Sequence, residues 1–337
     1  MVQDRTALLQ EYIFLKIAYL TDPCISDLMS LNNGWECDVY SFVLRYTDNG
    51  LACERKMILR AYTGKDVPLF PNKPLHEFNV LRQLCSDGYP VPEVYLLECD
   101  SCYLGSPFVI MELIEGEGLD QVFYRSNDVE RGALLKLGAE LFVALHDLDY
   151  KPYMGEGACE EDNAILHELN RHREIADHFG ANYALPGLDW LRQQAGAIAP
   201  GRLALAHWDY HFGNIILTPD KQPVVIDWTI SAVTDYRFDL AWSLLFLGDA
   251  AEGFVALYEE ASGEKVEHLE FFLAFACLRR LLTMLISLEH GAEVLGMRPL
   301  AENIIRKHKV HMHGLYSKWL GLSKMPIPYV ESVIAGL

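Results

Sequence analysis

Two short apolar runs that can fold back on each other constrain this chain more than any other segment. Residues 215–217 and 223–226 are separated by Thr-Pro-Asp-Lys-Gln, in which proline and aspartate favour a tight turn. A hairpin at this point brings Asn214 and Asp227 side by side, although they are far apart in the sequence. The fold must therefore present an amide and a carboxylate together at the open end of a two-stranded element.

The residues around this hairpin suit phosphate chemistry. The amide oxygen of Asn214 and the carboxylate of Asp227 are oxygen ligands of the kind that Mg²⁺ prefers. Asp209 precedes Asn214 by one short loop, so it can reach the same place and accept a proton from a substrate hydroxyl. We predict Asp209, Asn214 and Asp227 as catalytic residues, with Asn214 and Asp227 as the Mg²⁺ ligands.

The apolar pattern divides the chain into two parts. Residues 25–113 show the order strand, strand, strand, helix, strand, strand, and the helix is marked by apolar residues at helical spacing over residues 74–85. After Gly116 helices dominate, with the 215–226 hairpin as one small β element. We predict an α+β, bilobal chain with an antiparallel sheet and one helix in an N-lobe (1–113), a mostly helical C-lobe (114–337) and a ligand-binding cleft between them.

Charge and composition exclude several classes of protein. The formal net charge of −19 repels nucleic acid and favours cationic ligands. The most apolar stretch, residues 271–288, contains Arg279 and Arg280 at its middle, so we expect no membrane span. The eight cysteines are scattered and do not form a disulfide framework, which indicates a reducing, cytoplasmic location.

The motif His-x-Asp-x-x-x-x-Asn at residues 207–214, followed by Ile-Asp-Trp at residues 226–228, resembles the aminoglycoside phosphotransferase family. This family belongs to the protein-kinase-like small-molecule kinases, which include macrolide, choline and homoserine kinases. The resemblance extends from about residue 28 to residue 248. It implies a protein-kinase-like fold and transfer of the γ-phosphate of ATP or GTP, with Mg²⁺, to a hydroxyl of an aminoglycoside- or macrolide-like acceptor, as in antibiotic resistance.

The same resemblance assigns the nucleotide site to the N-lobe. Arg60 takes the place of the kinase lysine that binds the α- and β-phosphates, and Glu77 is its expected helix partner. Gly34 marks the loop that covers the phosphates, although the Gly-x-Gly-x-x-Gly signature of protein kinases is absent. The expected adenine-binding segment comprises Met111, Glu112, Leu113 and Ile114, which would read the base through their backbone.

Further residues receive supporting or acceptor-binding roles. The resemblance implies that Asp239 holds the catalytic loop by accepting backbone N–H groups, and that His207 anchors the same loop. Trp208 and Tyr210 flank Asp209 and are expected to line the acceptor pocket. An acidic cluster in the insertion at residues 151–201 is suited to a cationic acceptor, because carboxylates bind ammonium groups through charge-assisted hydrogen bonds. Its members are Glu156, Glu160, Glu161 and Asp162.

Two alternatives remain open at this point. The first is a metabolic kinase for choline, homoserine or a sugar, which the three catalytic residues cannot distinguish from a resistance enzyme. The second is a catalytically silent pseudokinase that binds nucleotide. The presence of Asp209, Asn214 and Asp227 together argues against silence.

Overall fold

The computed structural model describes residues 2–17, 20–31, 36–62, 72–155, 164–298 and 301–336. The N-terminal part is built on one antiparallel sheet of five strands, in the order β1-β2-β3-β5-β4. Its elements are α1 (Val2–Lys16), β1 (Thr21–Ser30), β2 (Asp38–Asp48), β3 (Leu51–Ala61), α2 (Lys73–Ser86), β4 (Val94–Glu98) and β5 (Phe108–Glu112). The predicted order of three strands, a helix and two strands is confirmed.

The long β2–β3 hairpin fixes the position of Arg60. Asn49 and Gly50 form its turn with φ angles of 48° and 78°, the left-handed conformation that Asn-Gly favours in two-residue hairpin loops. The register then places Arg60 opposite Val39 on one side and opposite Val109 on the other, in the middle of the sheet.

Helix α2 carries Glu77 to the same place. Its buried face contains Val80, Leu81 and Leu84, and Glu77 lies on that face one turn earlier. Because this face packs against the N-lobe sheet, the carboxylate of Glu77 is turned inward toward β3 and is only 1% exposed.

The rest of the chain is mostly helical, and residues 113–116, here called the connector, lead into it. Its elements are β6 (Glu117–Gly118), α3 (Leu119–Arg125), α4 (Asp128–His146), α5 (Ala164–His178), α6 (Leu185–Ala195), β7 (Leu203–Ala206), β8 (Ile215–Leu217), β9 (Pro223–Val225), β10 (Ala232–Asp235), α7 (Tyr236–Leu244), α8 (Ala251–Ser262), α9 (Leu269–His290), α10 (Glu302–Lys307), α11 (Lys309–Ser323) and α12 (Pro328–Gly336). The predicted α+β class is confirmed.

Helix α9 is the central helix of this helical part. It is long and apolar enough to cross a membrane by length and composition, yet 78% of its most apolar window is buried inside the described structure. Its buried side chains form one core with α6, α7 and α11. The two arginines at its middle, Arg279 and Arg280, line the cleft between the lobes.

The β structure of the C-lobe is richer than the sequence suggested. Strands β8 and β9 form the predicted hairpin, but β6 adds a third strand beside β8, and β7 pairs with β10. The prediction of one small β element was therefore incomplete. Strands of two to four residues are too short to show an alternating pattern, so periodicity could not reveal them.

Close packing joins the connector to the hairpin. A Cβ atom at Gly116 would lie 2.4 Å from the carbonyl oxygen of Leu217, so only glycine allows this approach. On the other strand, the N–H of Val225 donates a hydrogen bond to the carbonyl oxygen of Pro90 at 2.8 Å. The hairpin thus contacts the connector through one strand and the N-terminal part through the other.

Candidate active site

A cleft of about 1490 Å³ lies between the sheet and the helical part. It is lined by Arg60 from β3, by the segment 111–116, by Asp209 and Asn214 from the loop before β8, and by Asp227. Pockets that hold one small ligand measure roughly 300–1,000 Å³. The cleft is therefore large enough for two ligands side by side.

Asp209 and Asn214 are directly bonded. The side-chain Nδ2 of Asn214 donates to the backbone oxygen of Asp209 at 2.9 Å and to its Oδ2 at 3.3 Å. The other carboxylate oxygen, Oδ1, accepts a hydrogen bond from Nε1 of Trp242 at 2.9 Å. These contacts fix the Asp209 carboxylate, and they leave the Oδ1 atom of Asn214 directed away from it.

The hairpin brings Asp227 next to this pair. The N–H of Ile226 donates to the carbonyl oxygen of Asn214 at 2.9 Å, so Asp227 follows directly after a residue bonded to Asn214. Asp227 adopts a left-handed conformation with φ 71°. Burial raises the pKa of Asp227, but the charge and hydrogen bond of Arg60 outweigh burial and hold that pKa below its usual value.

Arg60 links this site to the N-lobe. Its Nη2 lies 2.6 Å from Oδ1 of Asp227, and its Nε lies 3.2 Å from Oε2 of Glu77. Glu77 also accepts hydrogen bonds from the Tyr62 hydroxyl and, at 3.3 Å, from the backbone N–H of Trp228. Although burial lowers the pKa of Arg60, the carboxylates of Glu77 and Asp227 raise it well above its usual value, so the guanidinium stays charged.

Asp239 holds the loop that carries Asp209. Its fully buried carboxylate accepts hydrogen bonds from the backbone N–H of His207 at 2.9 Å and of Trp208 at 2.8 Å. The ring of His207 bonds to the carbonyl oxygen of Ile226 at 2.9 Å, which ties the loop to the hairpin. The helix N-cap of α7 is Asp235, so Asp239 is a loop anchor inside the first turn.

The segment predicted to bind adenine, residues 111–114, lines the cleft, but two of its backbone N–H groups already donate hydrogen bonds within the protein. Glu112 donates to the carbonyl oxygen of Glu93 at 2.8 Å, and Leu113 donates to that of Lys56 at 3.2 Å. Met111 and Ile114 also line the cleft. Two groups of predicted site residues, Gly34 and the acidic cluster Glu156, Glu160, Glu161 and Asp162, lie outside the described residues.

The prediction that Tyr210 lines the acceptor pocket is wrong. Tyr210 is fully buried, stacks on Phe142 at 3.8 Å between ring centroids, and shares a hydrogen bond with the hydroxyl of Tyr89 at 2.7 Å. Side chains on either side of a catalytic residue do not all face the cleft, and this one turns into the core. Trp208, by contrast, does line the cleft.

A group of cations on the C-lobe side of the cleft was not predicted from the sequence. We call this group the cationic wall and define it as Arg171, Arg279, Arg280 and Lys307, all of which line the cleft. Arg279 donates to the carbonyl oxygen of Trp208 at 3.0 Å. The adjacent arginines in an otherwise apolar helix were the available signal, but in the sequence they indicated only that this helix does not span a membrane.

Trp242 connects the cationic wall to Asp209. The guanidinium of Arg279 lies 4.1 Å from the centroid of the Trp242 ring, and that of Arg280 lies 5.7 Å from it. The same indole donates the hydrogen bond to Asp209. One side chain thus separates two positive charges from the predicted catalytic carboxylate.

Comparison with known proteins identifies the family and the fold. The model of the phosphotransferase enzyme family, APH, matches residues 30–272. A protein from Ralstonia eutropha described as an aminoglycoside phosphotransferase aligns with a TM-score of 0.64 and 19% identity over 97% of this chain and 98% of that chain. A choline/ethanolamine kinase family protein from Mesorhizobium loti aligns with a TM-score of 0.57 and 16% identity over 95% and 100% of the two chains.

A further solved structure is a thermostable mutant of the aminoglycoside phosphotransferase APH(4)-Ia in ternary complex with ADP and hygromycin B. It aligns with a TM-score of 0.58 and 20% identity over 88% of this chain and 98% of that chain. At these identities the three likenesses establish the protein-kinase-like, bilobal fold that the sequence predicted.

Curated relatives are similar over about half of this chain. Acyl-CoA dehydrogenase family member 11 of Gallus gallus is 30% identical over 187 residues, which is 53% of this chain and 24% of that protein. Acyl-CoA dehydrogenase family member 10 of Mus musculus is 24% identical over 202 residues, which is 57% of this chain and 18% of that protein. The match therefore spans about a quarter or less of the length of these relatives.

Proposed function

Given that this chain belongs to the phosphotransferase enzyme family and is a small-molecule kinase, we propose that it transfers the γ-phosphate of ATP or GTP, with Mg²⁺, to a hydroxyl of its acceptor. The observation that carries this proposal is the set of contacts joining Asp209, Asn214, Asp227 and Arg60 in one cleft. In phosphoryl transfer, catalysis consists mainly of positioning and charge stabilisation, which is what such a set of side chains provides.

The residues present fit a Mg²⁺ ion. Oδ1 of Asn214 is directed away from Asp209, and Asp227 is held ionised by Arg60, so each offers an oxygen ligand. Mg²⁺ is commonly bound by one or two carboxylates together with substrate phosphates, and it would neutralise charge on the phosphate oxygens. Asn214 and Asp227 are the residues that would hold it.

The remaining roles follow from the positions of the side chains. Asp209, fixed by Asn214 and Trp242, would orient the acceptor hydroxyl and accept its proton. Arg60 would bind the α- and β-phosphates from the N-lobe side, as a charge already placed next to Asp227. Segment 111–114 would contact the base.

The choice of acceptor is the finer part of the proposal. The family and the complex with hygromycin B support an aminoglycoside- or macrolide-like acceptor and a role in antibiotic resistance. The choline/ethanolamine kinase neighbour supports a metabolic kinase instead. The curated relatives are named as acyl-CoA dehydrogenase family members, and a kinase needs a hydroxyl on its acceptor. Acyl-CoA thioesters that carry a hydroxyl group are therefore a third class of acceptor to test.

The test is phosphate transfer from ATP and from GTP, with and without Mg²⁺, across these acceptor classes. Binding of nucleotide is measured in parallel by calorimetry. We expect Mg²⁺-dependent nucleotide binding in the wild-type protein and its loss in Asp227→Ala. A protein that binds no nucleotide with Mg²⁺ would contradict the proposed function, and a protein that binds it without any transfer would favour the pseudokinase alternative.

A further inference from the structure

The charge lining the C-lobe half of the cleft is positive. The cationic wall contributes four Lys or Arg side chains there. Among the described residues, Asp209 and Asp227 are the acidic side chains that line the cleft from the C-lobe, with Glu115 in the connector, and Asp227 is paired with Arg60 of the N-lobe. Glu168 lies outside the lining and approaches Arg171 at 3.8 Å, so it balances part of one charge. The local charge is thus opposite to the formal net charge of −19.

The positive charge also lies next to the reacting position. Arg279 and Arg280 both face the ring of Trp242, whose Nε1 bonds to Asp209. Both arginines line the same cleft as Asp209 and interact electrostatically with its carboxylate, so a molecule with its hydroxyl at Asp209 shares the cleft with two guanidinium groups. Guanidinium groups bind carboxylate and phosphate in a bidentate manner, and such bonds are stronger than neutral ones.

Nearby cations lower the pKa values of two titratable groups in this part of the cleft. Burial lowers the pKa of Arg279, and neighbouring Arg171 and Arg280 lower it further, against the effect of Asp209. The pKa of His311 is lowered to about 4, first by burial and then by Arg280 and His308. Its Nε2 is a buried atom without a hydrogen-bond partner in the described structure. A bound anion would relieve this concentration of like charge.

Apolar side chains also line this half of the cleft. They are Ile175, Ile230, Leu295 and Met297, and they stand beside the polar side chains of Thr229, Thr283, His308 and His311. The apolar part of this surface can accommodate a carbon chain.

We infer that the acceptor is an anion, a hydroxyl-bearing molecule whose carboxylate or phosphate group binds Arg279 and Arg280 while its hydroxyl meets Asp209. This inference rests on the proposed kinase function and names its substrate class. An anionic acceptor replaces the cationic acceptor that the net charge of the whole chain suggested. At physiological ionic strength, charges beyond about 8 Å are largely screened, so the nearby arginines determine the electrostatic potential that the acceptor meets.

The first experiment compares acceptors that differ only in the charged group. The series is ω-hydroxyhexanoate, ω-hydroxyhexanamide and ω-aminohexanol, assayed for phosphorylation with Mg-ATP. Two further acceptors, ω-hydroxyhexyl phosphate and an ω-hydroxyhexanoyl-CoA thioester, distinguish a carboxylate from a phosphate as the group that is recognised. We expect kcat/KM for an anionic member to exceed that of the amide and the amine by at least about ten-fold.

The second experiment removes one positive charge. Arg280→Gln should raise KM for the anionic acceptor by roughly ten- to a hundred-fold, leave kcat and nucleotide affinity within about two-fold, and reduce the preference for anion over amide. Arg280→Lys should retain more of the preference than Arg280→Gln, since lysine keeps the positive charge but lacks the planar guanidinium that binds an anion through two N–H groups. Lys318→Gln on α11 is the matched control, because it removes the same charge from an exposed side chain that does not line the cleft.

The outcomes separate this inference from the proposed function. Equal or preferred turnover of the amide, the amine or an aminoglycoside overturns the anionic acceptor and keeps the kinase. An unchanged anion preference in Arg280→Gln overturns it as well. If Mg-ATP binds but no anionic member is phosphorylated or bound, the inference fails alone, whereas a protein that does not bind Mg-ATP fails the proposed function itself.

Discussion

Arg60 and Asp227 meet across the cleft, with Nη2 of the arginine 2.6 Å from Oδ1 of the aspartate. The first residue belongs to the N-lobe sheet and the second follows the C-lobe hairpin. Because Arg60 also contacts Glu77 at 3.2 Å, a single guanidinium joins strand β3, helix α2 and the residue that follows the β8–β9 hairpin. The elements of the proposed nucleotide site are therefore already joined by direct contacts of Arg60.

The first prediction concerns this bridge. We expect Arg60→Ala to reduce the free energy of unfolding by about 3 kcal/mol, because it leaves Glu77 buried without its cationic partner. The double variant Arg60→Ala with Glu77→Gln should recover much of that loss but not the affinity for Mg-ATP. Urea unfolding and calorimetry measure the two effects, and a single variant as stable as wild type would show that the bridge does not stabilise the fold.

The second prediction concerns Asp209. We expect Asp209→Asn to lower kcat by about 10²–10⁴-fold, because an amide cannot accept the hydroxyl proton, while the dissociation constant of Mg-nucleotide changes little. Trp242→Phe removes the indole donor to Oδ1 and should give a smaller loss of kcat, roughly ten-fold. Both are measured by single-turnover assay with the acceptor from the panel. An Asp209→Asn enzyme with near wild-type kcat would remove Asp209 from the proposed chemistry.

A third prediction addresses Asp239. Replacing it with alanine leaves the N–H groups of His207 and Trp208 buried without an acceptor, so we expect a loss of about 3 kcal/mol or more in unfolding free energy. Asp239→Asn keeps one acceptor oxygen and should lose less. The control is Asp249→Ala, an exposed aspartate that should change stability by less than about 0.5 kcal/mol. Denaturant titration of the three variants tests the ranking.

The fourth prediction is a pH dependence. Burial, followed by Arg279 and Arg171, lowers the pKa of His172 to about 3 from an ordinary value of 6.5. Below about pH 6.5, His172 binds a proton in the unfolded chain but stays neutral in the folded chain. The contribution of His172 to the free energy of unfolding is therefore fully present above that pH, and it falls by about 1.4 kcal/mol per pH unit as the pH decreases. Neighbouring Glu168 acts in the opposite sense, because burial raises its pKa.

His172→Asn isolates the contribution of the histidine. Asparagine can keep a donor toward the carbonyl oxygen of Glu168, which the ring contacts at 2.8 Å, but it does not titrate. Between pH 7 and pH 5 we expect the variant to lose about 2 kcal/mol less stability than wild type. Parallel pH–stability curves for the two proteins would contradict this assignment.

The sequence predicted the features that depend on local patterns. Helical spacing over residues 74–85 gave the helix that carries Glu77, and the turn between residues 217 and 223 gave the hairpin that joins Asn214 to Asp227. These features have a period or a turn signal that lies within a few residues, so one sequence is enough to find them.

The acceptor side could not be predicted in the same way. Arg171 lies on α5, Arg279 and Arg280 lie on α9, and Lys307 ends α10, so their proximity arises from helix packing over long sequence separations. Tyr210 was misassigned for a related reason. Position beside a catalytic residue says nothing about which way a loop turns its side chains, and the anchors at Asp239 and Tyr89 decide that orientation.

The tight crossing of Gly116 and Leu217 has a mechanical consequence. The connector is fixed to the sheet through Leu113 and to the hairpin through Gly116, so a rotation between lobes would have its axis near residues 113–116. Displacement grows with distance from an axis. In the proposed arrangement the base would lie near this axis at residues 111–114, whereas Arg60 and Asp227 lie farther from it, so such a rotation would change the phosphate end of the site more than the base end.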